Sequence, residues 1–221
     1  PLRIASEGDR GRGSRWGGTG FNVWDGAVVA ASWAEASRIA RAAESSPVRA
    51  RLATAASVLE LGSGTGLAGL AAAAELGVEV TLTDLPEVVP ALQRNADANA
   101  EALAANGARA SVEALNWLEA KPEALAALRA RHAGGVVLVA DCVWLEELVA
   151  PLVRVLAELQ LPVAMTYQSR SRRVDELLFG ELRERGFAVA RVAAASEGLR
   201  RAAERIQLLW MEPPAERGAR R

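Results

Sequence analysis

The sequence predicts an α/β domain with a mostly parallel seven-stranded sheet, a C-terminal antiparallel strand and helices on both faces. Three observations carry that prediction. Short β-branched runs alternate with longer alanine- and leucine-rich segments of helical period. A glycine-rich turn separates the first apolar strand from the helix after it. The last two strands are joined by a Gly-containing loop instead of a helix, which favours an antiparallel pair. At 221 residues the chain can bury one sizeable core, so a single domain over 23–212 is expected, between flexible ends at 1–22 and 213–221.

In chain order, residues 23–44 read as a helix entered through Trp24-Asp25-Gly26, and 57–61 as the first buried strand. A helix over 67–76 closes at Gly77, placed as a C′ glycine. Residues 79–84 form the second strand, 86–105 a long helix opened by Pro86 and closed at Asn106-Gly107, and 109–115 the third strand. A helix at 122–131, a strand at 136–141, a helix at 145–159, a strand at 162–167 and a helix at 172–185 follow. The terminal strands are 187–192 and 206–211.

Composition excludes several classes. With 51% apolar residues and a formal charge of −1, the chain is an ordinary globular protein and no nucleic-acid partner is expected. Cys142 stands alone, so no internal disulfide forms, and with His132 as the one histidine there are too few ligands for a Cys/His zinc site. No metal is therefore expected. Apolar runs stop well short of the ~18 residues a membrane span needs. Residues 1–20 are too charged and glycine-rich for a signal peptide. A cytoplasmic monomer is the expectation; a nuclear or organellar destination stays open because the chain starts at Pro1 and a targeting segment can precede it. No Gly-x-Ser-x-Gly turn or Walker loop occurs, and His132, in Arg-Ala-Arg-His-Ala-Gly, reads as a solvated helix end, so a hydrolase is disfavoured.

The sharpest feature is Glu60-Leu-Gly-Ser-Gly-Thr-Gly66, directly after a strand and directly before a helix. Small residues there let the backbone approach a ligand while helix N–H groups face it. A tight turn with no ligand is the plain alternative. Asp84 ends the next strand 18 residues after Gly66, where an acid can accept hydrogen bonds from both ribose hydroxyls of an adenosine. Gly64-Thr-Gly-Leu-Ala-Gly69 also satisfies the dinucleotide pattern Gly-x-Gly-x-x-Gly. Against that reading, Glu60 beside the loop would repel a pyrophosphate but suits a ligand carrying an ammonium and a sulfonium. The Gly64-led pattern also starts too far into the helix.

Five segments together resemble the class I methyltransferases, and more narrowly the family 16 lysine methyltransferase branch. They are Val23-Trp-Asp-Gly-Ala27; Val58-Leu-Glu-Leu-Gly-Ser-Gly-Thr-Gly-Leu67; Leu82-Thr-Asp-Leu-Pro86 with Leu92-Gln-Arg-Asn95 and Asn99; Leu115-Asn-Trp117; and Ala140-Asp-Cys-Val-Trp144. Thr166-Tyr-Gln-Ser-Arg170 extends the likeness. The resemblance implies a Rossmann-like methyltransferase sheet that binds S-adenosyl-L-methionine. The loop residues Glu60, Gly62, Ser63, Gly64, Thr65 and Gly66 would hold its methionine part. Asp84 would hold the ribose, and Leu85 and Trp117 the adenine, with Asn116 and Ala140 beside them. Trp24 would close the pocket from the N-terminal side. A purely structural use of Trp117, as a cap on the third strand, and of Trp24, as an anchor for the first helix, stays open.

The same resemblance implies methyl transfer to a lysine side chain of a protein, with Asp141, Trp144 and Tyr167 at the reacting amine. Asp141 can alternatively be the N-cap of the following helix. The family commonly carries Tyr or Phe where Trp144 stands, Glu where Gln168 stands and an acid where Asn116 stands; these departures bear on substrate choice more than on the reaction. Displacement at a sulfonium needs alignment and an unprotonated amine and little acid–base machinery, so the shortage of histidine is no obstacle. A small-molecule amine substrate, or a non-catalytic module that kept the fold, are the alternatives. Cys142 within the Asp141 motif reads as a structural thiol beside the cofactor.

Overall fold

In the computed structural model, which describes residues 2–6, 19–41, 51–193, 197–202 and 204–215, the alternating pattern resolves into seven strands. They are β1 (Ser57–Leu61), β2 (Glu79–Asp84), β3 (Arg109–Ala114), β4 (Val136–Ala140), β5 (Val163–Tyr167), β6 (Ala188–Arg191) and β7 (Gln207–Glu212). The helices are α1 (Asp25–Arg41), α2 (Leu67–Leu76), α3 (Val89–Ala104), α4 (Pro122–Arg131), α5 (Glu146–Leu159), α6 (Arg172–Glu184) and the short α7 (Glu197–Ala202). The sheet runs β3-β2-β1-β4-β5-β7-β6. All neighbours are parallel except β7, which is antiparallel to both β5 and β6.

Strands covered on both faces read as continuous apolar runs, as Val-Val-Leu-Val-Ala in β4 does. Successive residues still separate into two cores. Val58, Leu82, Leu138 and Ala164 face the layer of α1, α2 and α3. Leu59, Leu61, Val139, Met165 and Tyr167 face α4, α5 and α6. β6, with all four residues exposed, is the outer edge. β1 lies between β2 and β4, and the chain leaves β1 for one face and β4 for the other. Their carboxyl ends therefore open a crevice at the point where strand order reverses, the usual ligand position in such sheets.

Three local expectations are corrected. α3 begins at Val89, not at Pro86, because Val88 and Val89 N–H both bond to Leu85 O and close a turn first; Pro90 takes the early-proline position. The segment before β7, expected as a loop, contains α7, whose Leu199 is buried against the α1 layer. In so short a helix, Leu199 as the one buried apolar side chain among those described leaves too little periodicity to read. His132 is not solvated. It is 2% exposed, with Nδ1 2.8 Å from Ser57 Oγ and Nε2 3.0 Å from Thr81 Oγ1. Of the expected first helix, residues 42–44 lie outside the described residues. No described helix is long and apolar enough to cross a membrane.

Burial first, and nearby Arg131 second, lower the His132 pKa from its ordinary value. The unfolded chain thus takes up a proton at about pH 6.5 while the folded chain resists it. The stability of this site is complete above that pH and falls as the pH drops below it. Urea denaturation at pH 7.5 and 5.5 is expected to show a smaller acid loss for His132→Gln than for the parent; equal losses would show that the imidazole is not the group responsible.

Candidate functional site

The β1–α2 connection is built from glycines because its backbone needs them. Gly62, Gly64 and Gly66 have φ of 67°, 53° and 81°, in the left-handed region that side chains disfavour. Ser63 N–H bonds to Thr83 O (2.9 Å) and Thr83 N–H to Ser63 Oγ (3.0 Å), so the loop stays stitched to β2. Gly64 N–H then donates to Asp84 Oδ2 and Leu85 N–H to Asp84 Oδ1, each at 2.7 Å. Burial raises the Asp84 pKa to about 6 despite these two bonds. Each carboxylate oxygen keeps a lone pair for a ligand.

A cavity of about 350 Å³ opens above this loop, within the range of small-molecule sites. Of the residues expected at a cofactor, Trp24, Gly62, Ser63, Gly64, Thr65, Asp84, Leu85, Asn116, Trp117 and Ala140 line it, and so do Asp141 and Trp144. Trp117 is steadied by Arg154 of α5, whose guanidinium donates to Trp117 O and Ala120 O. Cys142 also lines the cavity, its thiol pKa pushed well up by burial and then by the surrounding carboxylates, which favours the protonated thiol.

Three expected residues stand elsewhere. Glu60 points to the α2 face of the sheet, beneath the loop, where its Oε2 accepts from Gly69 N–H (3.1 Å). Gly66 is the left-handed N-cap of α2. Tyr167 is fully buried on the α6 face, its hydroxyl donating to Asp175 Oδ1 (2.6 Å) and its ring edge-on to Phe179. Strand alternation explains the last case: Thr166 faces α1, donating from Oγ1 to Gly26 O (2.9 Å), so Tyr167 must face the other way.

Asp141 is not a helix N-cap, since α5 begins after Leu145. It has φ of 55°, a conformation that Asp adopts more readily than most residues. Arg170 clamps it in a bidentate pair, Nη1 to Oδ1 and Nη2 to Oδ2, both at 2.7 Å. The guanidinium also lies 5.8 Å from the Trp24 ring centroid. α1 approaches so closely that a Cβ on Gly26 would stand 2.2 Å from Asp141 Cβ, which accounts for the glycine in Trp-Asp-Gly-Ala. Arg170 and the cavity-lining turn Gly20-Phe21-Asn22 were not read from sequence as site residues. Arg170 sat in a quoted motif, but nothing in the spacing disclosed its partner; the turn lies in a glycine-rich stretch without periodicity.

Glu60 is 1% exposed, and burial raises its pKa from 4.5 to about 8. The folded protein therefore loses stability as pH rises from about 4.5 toward 8, at up to about 1.4 kcal/mol per pH unit. Glu60→Gln keeps the acceptor for Gly69 and removes the titration. Denaturation at pH 5, 6.5 and 8 is expected to show the variant gaining on the parent as pH rises; parallel curves would mean that Glu60 does not titrate in this window.

A family model described as lysine methyltransferase matches residues 12–185. Protein-lysine N-methyltransferase rrg1 of Schizosaccharomyces pombe is 42% identical over 67 residues, 30% of this chain and 22% of that protein. EEF1A lysine methyltransferase 3 of Mus musculus is 47% identical over 60 residues, 27% of this chain and 24% of that protein. The aligned stretches thus span less than a quarter of either relative. An O-methyltransferase family protein from Burkholderia thailandensis shares the fold, with a TM-score of 0.51 at 15% identity over 75% of this chain and 53% of its own. With most of its length matched by the family model, the chain belongs to the lysine methyltransferase family.

Proposed function

We propose that this protein transfers a methyl group from S-adenosyl-L-methionine to a lysine side chain of a protein substrate. The observation that carries the reading is Asp84, a carboxylate at the end of β2 that fixes the glycine loop and still fronts the cavity. Its free lone pairs suit the two hydroxyls of a ribose. Leu85 and Trp117 offer apolar surface to a purine, and Ser63, Gly64 and Thr65 line the end suited to an amino-acid moiety. Bound there, the cofactor supplies an electrophilic methyl group on a sulfonium.

The chain's own residues would handle the amine. A lysine ammonium has a pKa of about 10.4 in water, and an apolar passage disfavours the charged form. Trp24 and Trp144 line that passage, with Asp141, bound on both oxygens by Arg170, in its wall. The indoles would hold a methylated ammonium by cation–π contact worth about 0.5–2 kcal/mol. The exposed apolar residues Val23, Trp24, Val28 and Leu118 suit a protein surface better than a small amine. The names of the two curated relatives support lysine as the acceptor. A cytoplasmic, monomeric protein without nucleic-acid partners belongs to the same reading.

Calorimetry is expected to show binding of S-adenosylmethionine and S-adenosylhomocysteine, weakened at least about tenfold, about 1.4 kcal/mol, in Asp84→Asn. Because ionised Asp84 can accept from both ribose hydroxyls and is the stronger acceptor, affinity should also fall as pH is lowered through about 6. Labelled methyl transfer into a cell lysate should then yield methyl-lysine after hydrolysis. Lys121 is the one lysine in the chain, so Lys121→Arg separates substrate labelling from self-labelling. Binding of NAD in place of these ligands would overturn the proposal.

A further inference from the structure

Asn95 and Asn99 stand one turn apart on α3 and are only 3% and 1% exposed. Buried amides need their hydrogen bonds made, and both make them largely with the main chain of residues 2–6. Arg3 N–H donates to Asn99 Oδ1 and Asn99 Nδ2 to Arg3 O, each at 2.7 Å. Two residues on, Ala5 N–H donates to Asn95 Oδ1 (2.9 Å) and Asn95 Nδ2 to Ala5 O (3.0 Å). Four helical residues rise about 6 Å and two extended residues about 6.7 Å, so one helix turn reads alternate residues of a strand. Alternating with the paired residues, Leu2 and Ile4 pack on the apolar core. The N-terminal stretch expected to be loose is, over 2–6, a docked strap.

The strap connects to the cavity at two points. The second hydrogen of Asn95 Nδ2 goes to Thr65 O in the glycine loop (2.9 Å). Ser6 Oγ donates to Phe21 O (3.0 Å), and Phe21 lies in the cavity wall with Gly20 and Asn22. One buried amide therefore joins the loop on one side of the cofactor cavity, through the strap, to the turn on another. Covering apolar surface alone would require Leu2 and Ile4 but neither asparagine.

We infer that Asn95 is a positioning residue for the cofactor, and that docking of residues 2–6 on Asn95 and Asn99 holds the glycine loop and the 19–22 turn in their binding geometry. The inference rests on the S-adenosylmethionine reading of the cavity. Loss of the strap should show in cofactor retention, because the turn it holds forms part of the wall.

The test measures affinity and dissociation rate for S-adenosylhomocysteine, with thermal unfolding alongside, on the parent, a protein lacking residues 1–6, Ala5→Pro, Asn99→Ala and Asn95→Ala. Ala5→Pro removes the N–H that Asn95 accepts and leaves the domain untouched, so it stays informative if an asparagine variant fails to fold. Truncation, Ala5→Pro and Asn99→Ala are each expected to weaken binding about fivefold or more through faster release. In the truncated protein Asn95→Ala should add a further loss, because its bond to Thr65 O in the glycine loop survives truncation, whereas Asn99→Ala should add less, because its surviving bond, to Asn95 O, stays within α3. Parental affinity and release in both the truncated protein and Ala5→Pro would overturn the inference while leaving the cofactor reading intact. A parent that does not bind the ligand would overturn both.

Discussion

The left-handed glycines of the loop have no side chains of their own, so beyond the stitch of Ser63 to Thr83 its shape is set by what its N–H groups bond to. Two of those bonds go to carboxylates: Gly64 to Asp84, and Gly69, in the first turn of α2, to Glu60. Both acids are drawn from strands that the sheet places side by side, with Glu60 in register with Leu82 two residues before Asp84. The pairing of β1 with β2 is therefore what gives the loop its form. The arrangement has a cost, since burial raises the pKa of Glu60 to about 8 and of Asp84 to about 6. Hydroxyl donors arriving in the cavity would find in Asp84 an acid with unused capacity to accept.

At the mouth the chemistry is different. Asp141 is buried, and the bidentate bonds from Arg170 let it remain so. That pair draws β4, the segment after β5 and the entry to α1 onto one point: Thr166 bonds to Gly26, Gly26 abuts Asp141, and Arg170 lies over Trp24. The Trp-Asp-Gly-Ala and Asp-Cys-Val-Trp motifs are far apart in sequence and become one structure because a helix start and a strand end can touch only where no side chain intervenes.

The sequence was legible where it is punctuated. β1, α2, β2 and α4 have the expected bounds because glycine or proline marks their ends, as at Gly62, Gly77 and Pro122. The start of α3 was less legible because Leu85–Pro86 leads into a turn that resembles a helix start. Periodicity could not assign sides in strands buried on both faces, and this is why Glu60 and Tyr167, expected at the ligand, point into opposite helix layers beside the cavity. The His132 site was hidden for another reason: its flanking arginines suggested solvent, while its partners Ser57 and Thr81 lie far away in sequence. The strap at 2–6 carries no signal of its own; the signal is in Asn95 and Asn99, whose burial only the fold reveals.

The central claim is that the Asp84-anchored loop holds an adenosyl ligand with its sulfur facing the Asp141 mouth. A crystal structure of the protein with S-adenosylhomocysteine tests it most directly. The account predicts ribose hydroxyls on the Asp84 carboxylate, the purine against Leu85 and Trp117, and the sulfur toward Asp141 and Trp144. A ligand seated away from Asp84, or with its sulfur turned from that mouth, would contradict it.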